Sequence, residues 1–386
     1  MSSESVVDPS GKHYFAFSGG AYRYLGAQAP LLDFDTPEDR LETPPPTTPD
    51  PIFPIRSDVD YEIITPELHR YLTGHFFDSV HQIYPILNPP LPCLSSNGAV
   101  DLRSSPNEAF LQQIVYAISC RSDQTHGLFS HPLATAAHSR ALQYFERATA
   151  ESSISTLQVA ILLVLYTLFD PSSGNLSQQV GFAARLAIEL TGSDPDEPSP
   201  TLSNLVKVIY CLENQACGVL VRPTSLQEPG APLTFSVEDP LDFLCTLYRI
   251  QSRVRTGLLD DSFHATCGPL SRLTDDTLKC LHPNVLSTLR ETQFVLHTTA
   301  PAAASLVAAY LDDRYIPTFL SAHWVFKAAC VIVEAMPTAT DALRPHLMQD
   351  YGYSTALLGK WSTRWDAARI LLDCLQFKLK ASVPPS

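Results

Sequence analysis

The sequence predicts an all-α protein, a multi-helix bundle or array, and three observations carry that expectation. From about residue 65 onward, apolar residues recur at the 3.6-residue spacing of amphipathic helices, as in "NVLSTLRETQFVL" at 284–296. No alternating apolar–polar stretch of useful length marks a half-buried strand. Caps, glycines and prolines punctuate the periodic stretches, with no repeat of fixed period.

The elements follow in order. Residues 1–60 form a proline-rich, acidic N-terminal segment that should be extended or disordered. "TPPPTTPDPIFPI" at 43–55 holds six prolines, each lacking an amide donor. The acidic-apolar piece "APLLDFDTPEDRLE" has the composition of a weak activation segment or of a solvated tail. Residues 61–380 form one helical domain. It opens with "YLTGHFFDSVHQIYPILNPP" (71–90), whose Tyr71, Phe76, Phe77, Val80 and Tyr84 fit one broad helix face before Pro85, Pro89 and Pro90 forbid more. Ser155 with Gln158 reads as a capping box ahead of "LQVAILLVLYTLF". That helix is apolar all round and should be the central buried one. "DPSSGN" (170–175) is a turn, and "LSQQVGFAARLAIELTG" is a helix stopped by Gly192. "TLSNLVKVIYCLENQACGVLV" is a long helix ending near Arg222-Pro223. Asp239 caps a helix with Pro240 at its first position. Trp361 and Trp365, four apart, should be a packing pair on one helix.

Composition excludes several classes of function. A formal charge of −14 and the lack of any basic run argue against a nucleic-acid surface, which needs clustered Lys and Arg to displace counterions. The nine cysteines, Cys93, Cys120, Cys211, Cys217, Cys245, Cys267, Cys280, Cys330 and Cys374, include no C-x-x-C, so neither zinc site nor disulfide framework is expected. The N-terminus lacks the pattern of a signal peptide. The longest apolar run, "VAILLVLYTLF", is shorter than the ~20 residues a bilayer needs. The expectation is a soluble protein of the nucleus or cytoplasm.

Motifs for catalysis are missing too. There is no G-x-S-x-G, no glycine-rich phosphate loop and no H-E-x-x-H. Three Asp-Asp pairs, Asp260-Asp261, Asp275-Asp276 and Asp312-Asp313, are each followed one turn on by His264, Lys279 or Ile316, so none completes a magnesium-binding acidic triad. His75 and His81 fall on different helix faces; His126, His131 and His138 lie in a loop-like region. No catalytic residue, metal ligand or cofactor is assigned.

In order, the helices resemble the middle homology region of fungal zinc-cluster transcription factors, over about 66–375. Phe76-Phe77, Val80-His81 and Tyr84-Pro85-Ile86-Leu87 match the opening "FF-x-x-VH-x-x-YPIL" of that family. "LLVLYTLFDPSSGNLSQQVGFAARLAIEL" is similar to its apolar helix, turn and second helix, and "CLENQACGVLVRP" stands where an "LD-R" element ends in "GRP". "YIPTFLSAHWVFKAACVIV" and "LLGKWSTRWDAARILLDCL" are similar to its closing helices. Two departures matter. The family's six-cysteine zinc cluster has no counterpart before Cys93, and the aspartate–arginine element becomes Glu213-Asn214.

The resemblance implies a regulatory module without its own DNA reader. It would act through protein partners, perform no direct nucleic-acid reading, and bind a small apolar effector between helices. The alternative is a cyclase or isomerase of fungal secondary metabolism recycled from this scaffold, working by shape and positioning. By resemblance, Glu213, Asn214 and Arg222 should face the inter-helix cavity as ligand-binding residues. The structural alternative is that Glu213 pairs with Arg222 or Arg185 and locks the bundle.

Overall fold

The computed structural model describes residues 64–382, apart from 89–90, 96–104, 125–126, 194–198 and short stretches between 221 and 272, together with the backbone of 14–18 and 21–26. The two N-terminal pieces form an antiparallel hairpin, β1 (Tyr14–Ser18) and β2 (Ala21–Gly26), with Phe15 opposite Tyr24 and Phe17 opposite Tyr22. This differs from the expectation of an extended or disordered segment without strands. The missed signal is short: aromatics at period two on either side of Gly-Gly. The rest of the proline-rich segment, 43–55 included, lies outside the described residues.

The aromatic opening is two helices, not one. In α1 (Pro66–Asp78), Thr65 accepts from the Leu68 amide at 3.2 Å and Pro66 fills the first position. The chain breaks at Ser79 and resumes as the one-turn α2 (Val80–Ile83). Phe76 is fully buried, and Phe77 packs edge-on over His81 at 5.0 Å. The His81 ring donates to Leu87 O at 2.8 Å, so the matched residues reverse the chain and seat Ile86 and Leu87 in the core. Their role is architectural.

The N-terminal layer continues with α3 (Pro106–Ser122), α4 (Gly127–Ala148) and α5 (Ile154–Phe169). From Thr156 to Phe169, every position of α5 except Gln158 is buried, as expected of the central helix. Its cap is Ser153, which accepts from the Thr156 amide at 3.2 Å; Ser155 lies inside the helix, and Gln158 reaches Ile86 O at 2.8 Å. The cap thus lies two residues before the Ser155–Gln158 pattern in the sequence.

Next come α6 (Leu176–Ser193), with Gly192 in its last turn rather than beyond it, and α7 (Pro200–Leu220). In α8 (Pro240–Thr256), the expected Asp239 cap accepts from the Asp242 amide at 3.0 Å. That helix ends on Gly257, whose φ of 73° suits glycine best. The chain closes with α9 (Asp275–Cys280), α10 (Pro283–Leu296), α11 (Ala300–Ala309), α12 (Phe319–Ala335), α13 (Arg344–Ser362) and α14 (Asp366–Ser382).

Neighbours in sequence mostly pack as neighbours in space, and α12 turns back onto α5 and α7 to close the array. By length and apolarity the segment Phe319–Thr338 could cross a membrane, but 67% of it is buried against other helices, as in a core helix. Trp361 and Trp365 pack edge-on at 6.2 Å, but Trp365 stands at the corner between α13 and α14 rather than on one helix with Trp361. Its Nε1 donates to Phe169 O at 2.9 Å, pinning that corner to the end of α5.

Candidate functional site

The C-terminal turns of α7, α8 and α10 meet the middle of α12 and the end of α14 around a cavity of about 640 Å³. That volume suits a drug-sized molecule. Each helix presents one face. On α12, Trp324, Lys327, Val331 and Glu334 recur at three- and four-residue spacing and point the same way. From α8 come Gln251, Val254 and Arg255; from α10, Phe294 and Val295. Gly218 of α7 leaves the wall bare, and a Cβ there would lie 3.7 Å from Gln251 Oε1, 3.8 Å from Arg255 Nη1 and 3.9 Å from Trp324.

The polar lining of this cavity includes three cations, Arg255, Lys327 and Lys378, beside Gln251, Thr298 and Glu334. The half-buried Lys327 Nζ sits 4.8 Å over the Trp324 ring and 3.4 Å from Gly218 O, one of the carbonyls α7 leaves unbonded at its end. Burial pushes its amine down to about 8; Glu291 opposes that shift and Arg255 adds to it. Arg255 donates from Nη2 to Asn214 Oδ1 (3.1 Å) and Ser252 Oγ (3.3 Å), and burial lowers its pKa as well. At the rim, Lys378 holds Glu334 at 2.5 Å.

Behind the cavity wall lies a second polar cluster. Glu291 of α10 is buried and accepts from the Tyr310 hydroxyl at 2.5 Å, while its Oε2 has no hydrogen-bond partner. Tyr315 contacts Tyr310 edge-on at 4.8 Å and shares a 2.7 Å hydrogen bond with Ser321 Oγ. Burial in this company pushes the Glu291 carboxyl up to about 8, against the favourable Tyr310 bond and the charge of Lys327. Burial thus favours its protonated form.

The three sequence-picked residues do not form one site. Glu213 is buried, but its carboxylate accepts from the amides of Ser225 (2.7 Å) and Leu226 (3.0 Å), so it holds the loop after α7. Arg222 donates to Ser177 Oγ. Both line a separate cavity of about 80 Å³ between α6 and α7, too small for an organic effector. Arg185 is exposed and bonds Gly181 O on its own helix. Asn214, one residue and about 100° further round α7, faces the other way and anchors Arg255 of the large cavity. One of the three therefore touches the main site, as a support.

The other candidates resolve into structure. His138 lies in helix α4 rather than a loop, stacked on Tyr166 at 4.1 Å, and burial pushes its ring down to about 4. His126 and the side chain of His131 lie outside the described residues. Asp312 holds Arg314 at 2.9 Å, Asp276 is exposed, and Asp260-Asp261 lie outside the described residues. Among the described residues no group of His, Cys, Asp and Glu could hold a metal ion, and none of the nine cysteines is in a disulfide.

Lys327 and Glu291 carry no motif, though both leave a signal in the sequence. Lys327 is the lone cation in "FLSAHWVFKAACVIVEA", and Glu291 shares the spacing of the buried Val285, Thr288 and Thr292. A charge placed on an apolar face is the pattern to search for.

No family model matches the chain, and no match is found among curated proteins or solved structures.

Proposed function

We propose that this chain is a transcription-factor-like regulatory module that binds a small effector in the α7–α8–α10–α12–α14 cavity. It passes the bound state to protein partners in the nucleus or cytoplasm, in control of fungal secondary metabolism. The observation that carries the reading is the cavity itself: about 640 Å³, walled by Phe294, Trp324 and Val331, with a few polar groups converging at Gly218. The ordered resemblance to the fungal middle homology region supports it. On this reading base-specific contact falls to a partner, in keeping with a formal charge of −14. Ile370 and Phe377, exposed and seven residues apart on α14, lie beside the cavity-lining Lys378 and offer that partner an apolar face.

The enzyme alternative has one observation in its favour, the buried acid Glu291 among tyrosines. The space that reaches Tyr310 and Tyr315 is only about 170 Å³, small for a cyclisation substrate. The regulatory reading is therefore preferred.

The test fuses the chain to a heterologous DNA-binding domain and follows a reporter in fungal cells. Gly218→Phe fills the cavity from α7. The expected result is reporter output locked in one state with the fold retained by circular dichroism. Output that still responds like wild type would sink the reading.

A further inference from the structure

In a chain of formal charge −14, the cavity floor carries two cations, Lys327 and Arg255. The carboxylate in the lining, Glu334, is held at the rim by Lys378. Among the described residues, neither Lys327 nor Arg255 lies within ion-pair distance of a carboxylate. The same helix shows the contrast. Arg249 and Arg253 of α8 both reach Glu228, at 3.4 and 2.7 Å, whereas Arg255, two residues on, turns into the cavity. Converging helix ends supply some negative potential here, but each amounts to about half a charge and fades within a turn. Glu213 acts on Arg255 and Glu291 on Lys327 from a distance, and neither cation is neutralised by a direct ion pair among the described residues. Gly218 lines the same space, where a larger side chain would reach toward Gln251, Arg255 and Trp324.

We propose that the cavity's ligand is an amphipathic organic anion, an aromatic or polycyclic body bearing a carboxylate, sulfonate or phosphate. Its anionic group sits between Lys327 and Arg255, and its body lies against Phe294, Trp324 and Val331. This rests on the effector reading of the same cavity. A charge-assisted hydrogen bond in such a setting is worth on the order of 1.5–3 kcal/mol, so losing the lysine weakens an anion about tenfold or more and leaves a neutral analogue unaffected.

Two dyes sharing one ring system make the test: 8-anilinonaphthalene-1-sulfonate and its uncharged parent, N-phenyl-1-naphthylamine. Fluorescence titrations would compare wild type, Lys327→Met, Lys327→Arg and Gly218→Phe, with each fold checked by circular dichroism. The expected pattern is sulfonate binding lost about tenfold in Lys327→Met and recovered in Lys327→Arg. The neutral dye should ignore the lysine, and Gly218→Phe should weaken both. Wild-type sulfonate binding should also weaken with added salt while the neutral dye does not, a readout that needs no variant. If Gly218→Phe weakens both dyes but neither the lysine nor salt matters, the anionic ligand is wrong and the effector cavity stands. If a folded Gly218→Phe binds both dyes like wild type, the cavity reading itself fails, and this inference with it.

Discussion

The two ends of the helical array treat buried charge differently. In the N-terminal layer Arg121 meets Asp170 at 2.6 Å, both largely buried, and Thr135 Oγ1 takes a further bond from the same guanidinium nitrogen. Arg364 donates to Arg121 O, and Tyr71 reaches Asp123 at 2.7 Å. Charge there ties α1, α3, α5 and the α13–α14 corner into one knot. Around the large cavity of the C-terminal half, Lys327 and Arg255 face open space, and burial pushes the nearby Glu291 carboxyl up. A buried charge with its partner holds a fold together; a buried charge facing a cavity is a cost that a ligand can relieve.

Breaking the knot should produce the largest effect. Asp170→Ala strands Arg121 without its carboxylate, and denaturant unfolding should show a loss of about 3–5 kcal/mol. A loss under about 1 kcal/mol would erase the contrast between the two regions.

The Glu291 cluster sharpens it through pH. Its carboxyl is raised from an ordinary 4.5 to about 8, so the folded state binds more protons than the unfolded one in between. This contribution is full below 4.5 and lost as pH rises through 8. His138 and His323, both lowered to about 4, act with the opposite sign and only below 6.5, where acid weakens the fold. Between pH 6.5 and 8 the glutamate should dominate, with stability falling by up to about 2 kcal/mol as pH rises. Glu291→Gln keeps the acceptor for Tyr310 and should flatten that slope; an unchanged slope would assign it to other groups.

The smallest effect concerns the helix caps. Ser153→Ala should cost about 1 kcal/mol and Ser155→Ala much less, the reverse of what the sequence pattern implied. Equal losses from the two substitutions would put the boundary in doubt.

That reversal shows how much was legible. The helical class, the central helix α5 and the Asp239 cap could all be read, because periodicity and caps are local properties of the chain. The N-terminal hairpin was missed because its signal spans only thirteen residues around Gly-Gly. The break at Ser79 is set by where His81 and Leu87 meet, which no spacing rule contains. The site was the least legible. Glu213 and Asn214 stood out as polar residues in an apolar pattern, yet one turns to a loop and the other to an arginine 41 residues away. Lys327 and Gly218 matter because α7 and α12, more than a hundred residues apart in sequence, come together.

The most direct measurement is the unfolding free energy of Lys327→Met at pH 7 without ligand, against wild type. If Lys327 is there to meet a ligand, removing a desolvated cation from an apolar wall should leave stability unchanged or raise it. A loss of about 2 kcal/mol or more would show the lysine to be a structural cap on the end of α7, and would contradict its assignment as the group that meets the cavity's ligand.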